Sequence, residues 1–334
     1  MKIGLLFSGQ GAQYSGMGKN LYEHSAAAKR VFDDAGDQIK DWCFNGSSET
    51  LKQTHITQPS IYTVSMAACE AFFEAMSKQD SFFQSFEISG VAGFSLGEYT
   101  ALTAAGVIDD LKKGLDIVKK RGALMFEAGL DAQGNPKGGM MAALGKREKI
   151  LACVESVREN GILEGVNFNS PQQTVVAGEF AALERFKEKA AESRIKAIPL
   201  SVGTAFHSPM MQPAAEPLRQ ILLSADLKMP KYTIYCNVTG KDLFEGQKLS
   251  EDEIPQYVAD VMARQAKSPV YWQETIENMI RDGIEAVIEF GPGSTLCGFA
   301  KKISSNLLVL NVEDQDSLVK TLESLLENLK EKGE

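Results

Sequence analysis

A serine set between glycines, Gly93-Phe94-Ser95-Leu96-Gly97, separates two segments of different character. That junction restricts the folds open to this chain more than any other stretch of it. Residues 88–93 form a compact strand-like run, and residues 96–105 are rich in helix formers and closed by Gly106. A strand that turns at once into a helix needs glycines where the two backbones crowd. The turn would project Ser95 outward and aim helix N–H groups at negative charge developing above it. The same residues also suit an ordinary strand–helix turn with a serine N-cap.

The flanking sequence extends this pattern. Residues 3–7 are a short apolar run ended by glycines, and residues 61–76 place apolar side chains at helical spacing, predicting an amphipathic helix with one core face. Strands alternating with helices predict a parallel sheet covered on both faces. Glycines and a proline cluster at 129–139, read as a linker. Beyond it the pattern predicts a strand at 140–144, a helix at 146–159, strands at 165–169 and 174–177, a helix at 180–193 and a strand at 197–202. That β-α-β-β-α-β order is a ferredoxin-like unit. The expected organisation is an α/β catalytic domain from 1–130 and 203–334, with 131–202 inserted. Further on, 286–290 reads as a strand before the turn Gly291-Pro292-Gly293, and 316–334 as a helix with a charged, fraying end.

Composition removes several classes of function. A length of 334 residues fits about two folding units. With 35 Lys and Arg against 44 Asp and Glu, the net charge is -9, unsuited to wrapping nucleic acid. No apolar run approaches the roughly 20 residues that span a bilayer, and the N-terminal apolar stretch is too short for a signal peptide. The 5 cysteines are odd in number and never spaced C-x-x-C, so neither a disulfide framework nor a zinc site is expected. A soluble, cytoplasmic, reduced protein without metal or cofactor is the expectation.

A serine nucleophile needs a base, and the chain has 3 histidines. His24 lies in a polar stretch and His55 in a Thr/Gln-rich segment read as a loop. His207 follows an apolar strand in a loop, where catalytic groups concentrate, although a structural loop histidine fits equally. Gly9-Gln10-Gly11-Ala12-Gln13 lacks both dinucleotide and phosphate-loop spacing. It could bring backbone N–H groups to an oxyanion, or be a plain turn. Arg121 closes a basic helix expected at 112–121; such runs are usually solvated, but an arginine buried beside a nucleophile could grip a carboxylate with two parallel hydrogen bonds.

Taken together, these segments resemble the malonyl-CoA:acyl carrier protein transacylase family, the acyltransferases of fatty acid and polyketide synthesis. The likeness covers essentially the whole chain. It runs through Gly9-Gln10-Gly11-Ala12-Gln13, Thr57-Gln58-Pro59, Gly93-Phe94-Ser95-Leu96-Gly97-Glu98-Tyr99, Lys120-Arg121-Gly122-Ala123-Leu124-Met125 and Asn167-Phe168-Asn169-Ser170-Pro171. It continues through Ala205-Phe206-His207-Ser208, Gln265 shortly before Pro269-Val270, and Glu289-Phe290-Gly291-Pro292-Gly293.

The resemblance implies an α/β-hydrolase-like large domain with a parallel sheet, carrying the ferredoxin-like insert. It implies Ser95 as the acyl-carrying nucleophile, His207 as its base, and the backbone carbonyl of Gln265 as the group that orients the histidine. The N–H groups of Gln10 and Leu96 would form the oxyanion hole, and Arg121 would pair with the malonyl carboxylate. Gln10, Phe206 and Asn169 would contact substrate. Phe206, before the histidine, goes with malonyl rather than methylmalonyl in related enzymes. The implied partners are malonyl-CoA and a phosphopantetheinylated acyl carrier protein, and the implied state is a monomer. Two positions depart from the family: Phe94 where histidine is usual, and Ser8 where proline is usual. The rival readings are a serine hydrolase acting on acyl-CoA or acyl-ACP, and a catalytically silent docking subunit. Since both substrates are anionic, a local basic rim is expected, from the 112–120 face or from Lys187, Lys189, Arg194 and Lys196.

Overall fold

A computed structural model describes residues 1–78 and 85–333. β1 (Lys2–Phe7) is buried from Ile3 to Phe7, as a strand covered on both faces must be. It pairs in parallel with β2 (Glu87–Gly93) on one side and β8 (Ala286–Phe290) on the other. β7 (Thr233–Tyr235) and β9 (Leu308–Val312) complete a five-stranded sheet of order β7-β2-β1-β8-β9, parallel throughout. The chain steps from β1 outward through β2 to β7, then crosses back to β8 and out to β9. That reversal between β1 and β8 opens a crevice at their carboxyl ends, the usual place for a ligand in such sheets.

The second sheet holds β3 (Gly138–Leu144), β4 (Leu163–Ser170), β5 (Gln173–Glu179) and β6 (Lys196–Pro199), antiparallel and ordered β4-β5-β3-β6. The helices Arg147–Val157 and Phe180–Glu192 pack on it around Met141, Ile150, Val176, Leu183 and Phe186, a core separate from that of the parallel sheet. Its order is that of the expected ferredoxin-like unit. β4 is tied to the parallel-sheet side by Phe168 N–H to Val270 O at 2.9 Å and Val270 N–H to Val166 O at 2.8 Å.

Several elements differ from expectation. The helix expected at 61–76 begins at Thr54 and runs through Pro59 to Ser77. It is buried nearly all round rather than on one face, with Ser60, Thr63 and Ser65 inside the protein. The hydroxyls of Thr57, Ser60 and Thr63 donate to carbonyls one turn back, which makes their burial tolerable. His55 therefore lies in a helix, with its ring against Phe126. The stretch 129–139 is an ordered turn, closed by a Leu130–Pro136 bridge and by Asp131 Oδ1 accepting from the N–H groups of Gln133 and Asn135. β6 stops at Pro199, and residues 200–202 leave the sheet to line a cavity. The last helix is Gln315–Gly333, with Glu334 outside the described residues. The helices Ala26–Ala35 and Asp37–Asn45 were not anticipated, nor were β7 and β9. Among the described residues, no helix is long and apolar enough to cross a membrane.

Candidate active site

The glycines around Ser95 are dictated by contact. A Cβ on Gly93 would meet the carbonyl carbon of Gly97 at 1.8 Å, and one on Gly97 would meet the carbonyl oxygen of Phe7 at 2.1 Å. β1, β2 and the helix Gly97–Ala104 thus close on one another only with hydrogens there. Ser95 itself has φ 54, the strained left-handed conformation that throws its hydroxyl clear of the strand. Asn237, just after β7, holds this turn from both sides. Its Oδ1 accepts from Ser95 N–H at 2.7 Å, and its Nδ2 donates to Gly93 O at 2.7 Å. Its own N–H donates to Glu98 Oε1 at 2.9 Å.

His207 reaches Ser95 from a loop, also at positive φ (60). Its Nε2 lies 2.7 Å from Ser95 Oγ. Its Nδ1 faces the carbonyls of Gln265 at 3.1 Å and Ser268 at 3.2 Å. Carbonyls only accept, so Nδ1 carries the proton and Nε2 is free to receive one from the serine. Burial, and after it the charge of Arg121, pushes the imidazole down to about 4, so it is neutral at physiological pH. Gln265 serves twice, because its side-chain Nε2 also donates to Ser95 O at 2.8 Å.

Arg121 is fully buried in the helix Leu111–Ala128 rather than closing it. Nη1 donates to Gln58 Oε1 at 2.8 Å, and Nη2 to Ser95 Oγ and Gln265 Oε1, both at 3.3 Å. The guanidinium carbon sits 5.0 Å from the centre of the Tyr99 ring, and Nε has no acceptor. The nearby carboxyl of Glu98 is buried and pushed up to about 8 chiefly by that burial, so it stays largely neutral at pH 7. A buried guanidinium with only neutral partners is a strong anion site.

Ser95, His207 and Arg121 share a cavity of about 70 Å³, walled by Gln10, Gln58, Met125, Met140, Leu200 and Phe206 among others. An outer cavity of about 680 Å³ adjoins it, sharing Gln10, Phe94, Asn167, Leu200 and Val202. The outer one occupies the sheet's crevice, lined by residues 8–15 after β1 and by Glu289, Thr295 and Leu296 at and after β8. Phe94 stands where the two meet, its ring against Trp272 and Phe299.

Of the residues singled out in the sequence, Ser95, His207, Gln265, Arg121, Gln10 and Phe206 converge here, with Leu96 buried directly behind the serine. Asn169 lines the outer cavity, where its Nδ2 donates to Gln173, and is absent from the inner wall; Asn167 lines both. His24 is exposed and bonded to Asn20 O, and His55 stays outside both cavities. Among the described residues, none of the basic residues expected to form a rim, at 112–120 or Lys187, Lys189, Arg194 and Lys196, lines either cavity. Lys112, Lys113 and Lys120 pair with Asp34, Asp109 and Asp116, and Lys187 and Lys189 with Glu184 and Glu192. Among the described residues, the cation on the outer wall is Lys52. Glu98, Asn237 and Ser268 were not anticipated as site residues. Glu98 lies inside the elbow motif and Gln58 inside Thr57-Gln58-Pro59, whereas nothing local marks Asn237. The 5 cysteines are free and buried. Among the described residues, no group of three or more His, Cys, Asp or Glu side chains could hold a metal.

Comparison with known proteins gives the family of the chain. Residues 5–318 match the model of the acyl transferase domain family. The malonyl CoA-acyl carrier protein transacylase of Bacillus subtilis (strain 168) is 36% identical over 340 residues, spanning 100% of this chain and 99% of that protein. The crystal structure of the transacylase of the same name from Clostridium perfringens superposes with TM-score 0.87 at 37% identity, covering 100% of both chains. A malonyl-transacylase solved in complex with its type II PKS acyl-carrier protein superposes with TM-score 0.85 at 32% identity, over 97% of this chain and 100% of that one.

Proposed function

The chain belongs to the acyl transferase domain family, and from that premise we propose that it carries a malonyl group from malonyl-CoA to the phosphopantetheine thiol of an acyl carrier protein. The observation that carries this reading is the placement of Arg121: a buried guanidinium, with no carboxylate partner among the described residues, 3.3 Å from the serine hydroxyl in a chamber of about 70 Å³. A short acyl chain on Ser95 that ends in a carboxylate would meet it; a neutral acyl group would leave it uncompensated.

In the first half-reaction Ser95 Oγ attacks the thioester carbonyl while its proton passes to His207 Nε2. The N–H groups of Gln10 and Leu96 hold the resulting oxyanion, a contribution worth about 10²–10³ in rate for each such donor. Collapse breaks the C–S bond, and the departing sulfur of coenzyme A takes the proton from His207. In the second half-reaction the phosphopantetheine thiol gives its proton to His207, its sulfur attacks the acyl-serine, and the C–O bond breaks as Ser95 recovers a proton. The Gln265 carbonyl keeps His207 in the tautomer that both halves need. Ping-pong kinetics follow.

Phe206 bounds the acyl chamber, and Gln10 and Asn169 meet the substrate at the inner and outer cavity respectively. The segment 131–202 acts as an inserted domain that walls the site between the two parts of the catalytic domain, 1–130 and 203–334. The protein works as a soluble cytoplasmic monomer supplying fatty acid or polyketide synthesis. Mass spectrometry of the protein incubated with a panel of acyl-CoA donors tests the reading. The expected result is a malonyl adduct on Ser95 that forms faster than acetyl or methylmalonyl adducts and is absent from Ser95→Ala. Equal labelling by acetyl and malonyl donors, or a malonyl adduct on Ser95→Ala, would refute it.

A further inference from the structure

Two groups that can be positive meet across one oxygen at this site. Arg121 Nη2 points at a lone pair of Ser95 Oγ from 3.3 Å, and His207 Nε2 takes the hydroxyl proton at 2.7 Å. Ser95 can attack only as His207 becomes an imidazolium. The guanidinium on the other side of that oxygen is fully buried and hydrogen-bonded to neutral oxygens of Gln58, Gln265 and Ser95, with Nε unpartnered. A second positive charge forming so near an uncompensated first one is disfavoured in a medium that screens weakly. The same hydrogen bond also occupies the serine lone pair that has to do the attacking.

We propose that the carboxylate of the acyl donor is an activator as well as a handle: by engaging Arg121 it cancels the charge that opposes the imidazolium and draws the guanidinium off the Ser95 oxygen. The resting enzyme is thus held back until a dicarboxylic acyl group is seated. This rests on the malonyl-transfer reading above and goes beyond it. A handle alone binds ground state and transition state equally and appears in KM, whereas an activator appears in kcat. Burial and Arg121 together depress the basicity of His207, which agrees with such a brake. A change of one pKa unit is a tenfold change in protonation equilibrium, and that sets the scale of the expected effect at about tenfold.

The test divides the malonyl group into two pieces. An acetyl thioester supplies the reacting carbonyl, and free formate supplies the carboxylate; together they hold the carbons of a malonyl group. Acetylation of Ser95 by acetyl-CoA is followed in the wild-type protein with rising formate, at ionic strength held constant with chloride. Formate should raise the limiting acetylation rate about tenfold and saturate, give no acceleration in Arg121→Ala, and compete with malonyl-CoA in malonyl transfer. An acetylation rate that formate leaves unchanged or lowers would overturn the proposal, as would equal acceleration in folded Arg121→Ala. The wild-type measurement decides alone should the variant not fold. Malonyl-CoA labelling of Ser95 in the same preparation separates the two ideas: labelling without formate acceleration removes the activation proposal only, while no labelling removes the functional reading and this proposal with it.

Discussion

The two cavities that meet at Phe94 are built in opposite ways. In the inner one, side chains from distant segments are fixed by hydrogen bonds: Asn237 clamps the elbow, Gln265 holds both Ser95 and His207, and Gln58 holds Arg121. The outer one is roughly tenfold larger, and its wall combines a glycine-rich loop and the chain leaving β6 with side chains from β3, β4 and β5. Reacting atoms need geometry fixed to a fraction of an ångström, whereas a long substrate arm needs room and tolerates movement. The contrast teaches that perturbing the inner cavity should alter turnover, and perturbing the outer one should alter substrate affinity.

The largest effect that could break this contrast comes from Ser95→Ala. Removing a serine nucleophile costs on the order of 10⁶ in kcat, and His207→Ala should approach that loss. Stopped-flow release of coenzyme A from malonyl-CoA measures it, and substantial residual turnover would place the chemistry elsewhere. Next is Arg121→Ala. Losing one partner of a buried charge pair costs about 2–5 kcal/mol, so malonyl transfer should fall at least tens-fold, while acetyl transfer, freed of the charge that opposes the imidazolium, should not fall and should rise by up to about tenfold. Equal losses with the two donors would remove Arg121 from substrate selection.

Asn237→Ala should cost less, about tenfold in kcat with KM little changed, since leaving a buried polar group unsatisfied costs about 1–3 kcal/mol. A purely KM effect would show that the clamp does not position Ser95. Lys52 sits at the edge of the outer cavity in an exposed pair with Glu49 at 2.8 Å. Exposed charges contribute little, so Lys52→Ala should raise KM for malonyl-CoA only about two- to threefold, and less at high salt. A kcat effect there would blur the division. The smallest response is to acid. His207 must be neutral to accept the serine proton, and its pKa is held at about 4 rather than 6.5, so kcat/KM should stay nearly flat as pH falls from 7 to about 5. An acid limb centred near 6.5 would mean that the imidazole is not in the environment described.

The same contrast governs what was legible in the sequence. The elbow could be read because contact forces its glycines: Gly93 and Gly97 have no alternative beside Phe7 and each other. The ferredoxin-like unit could be read because its core side chains alternate with short period and its helices are regular. Asn237 could not, because its contacts to Ser95, Gly93 and Glu98 cross about 140 residues and no local pattern encodes them. β7, with 3 residues, is too short to show a period. Apolar spacing showed the helix only from residue 61, because its first turns are polar, yet packing on all sides carries the helix Thr54–Ser77 through Pro59, which has no N–H to donate. The basic residues misled in the same way. Lysines at 112–120 suggest an anion-binding face, but aspartates pair with Lys112, Lys113 and Lys120.

The measurement that bears most directly on the account is a chase of the loaded protein, followed by intact mass. After malonyl-CoA is removed, the adduct on Ser95 should persist in buffer and vanish on addition of phosphopantetheinylated carrier protein, with the malonyl mass appearing on the carrier. Loss of the adduct to water at the same rate with or without carrier protein would contradict acyl transfer and make the protein a hydrolase.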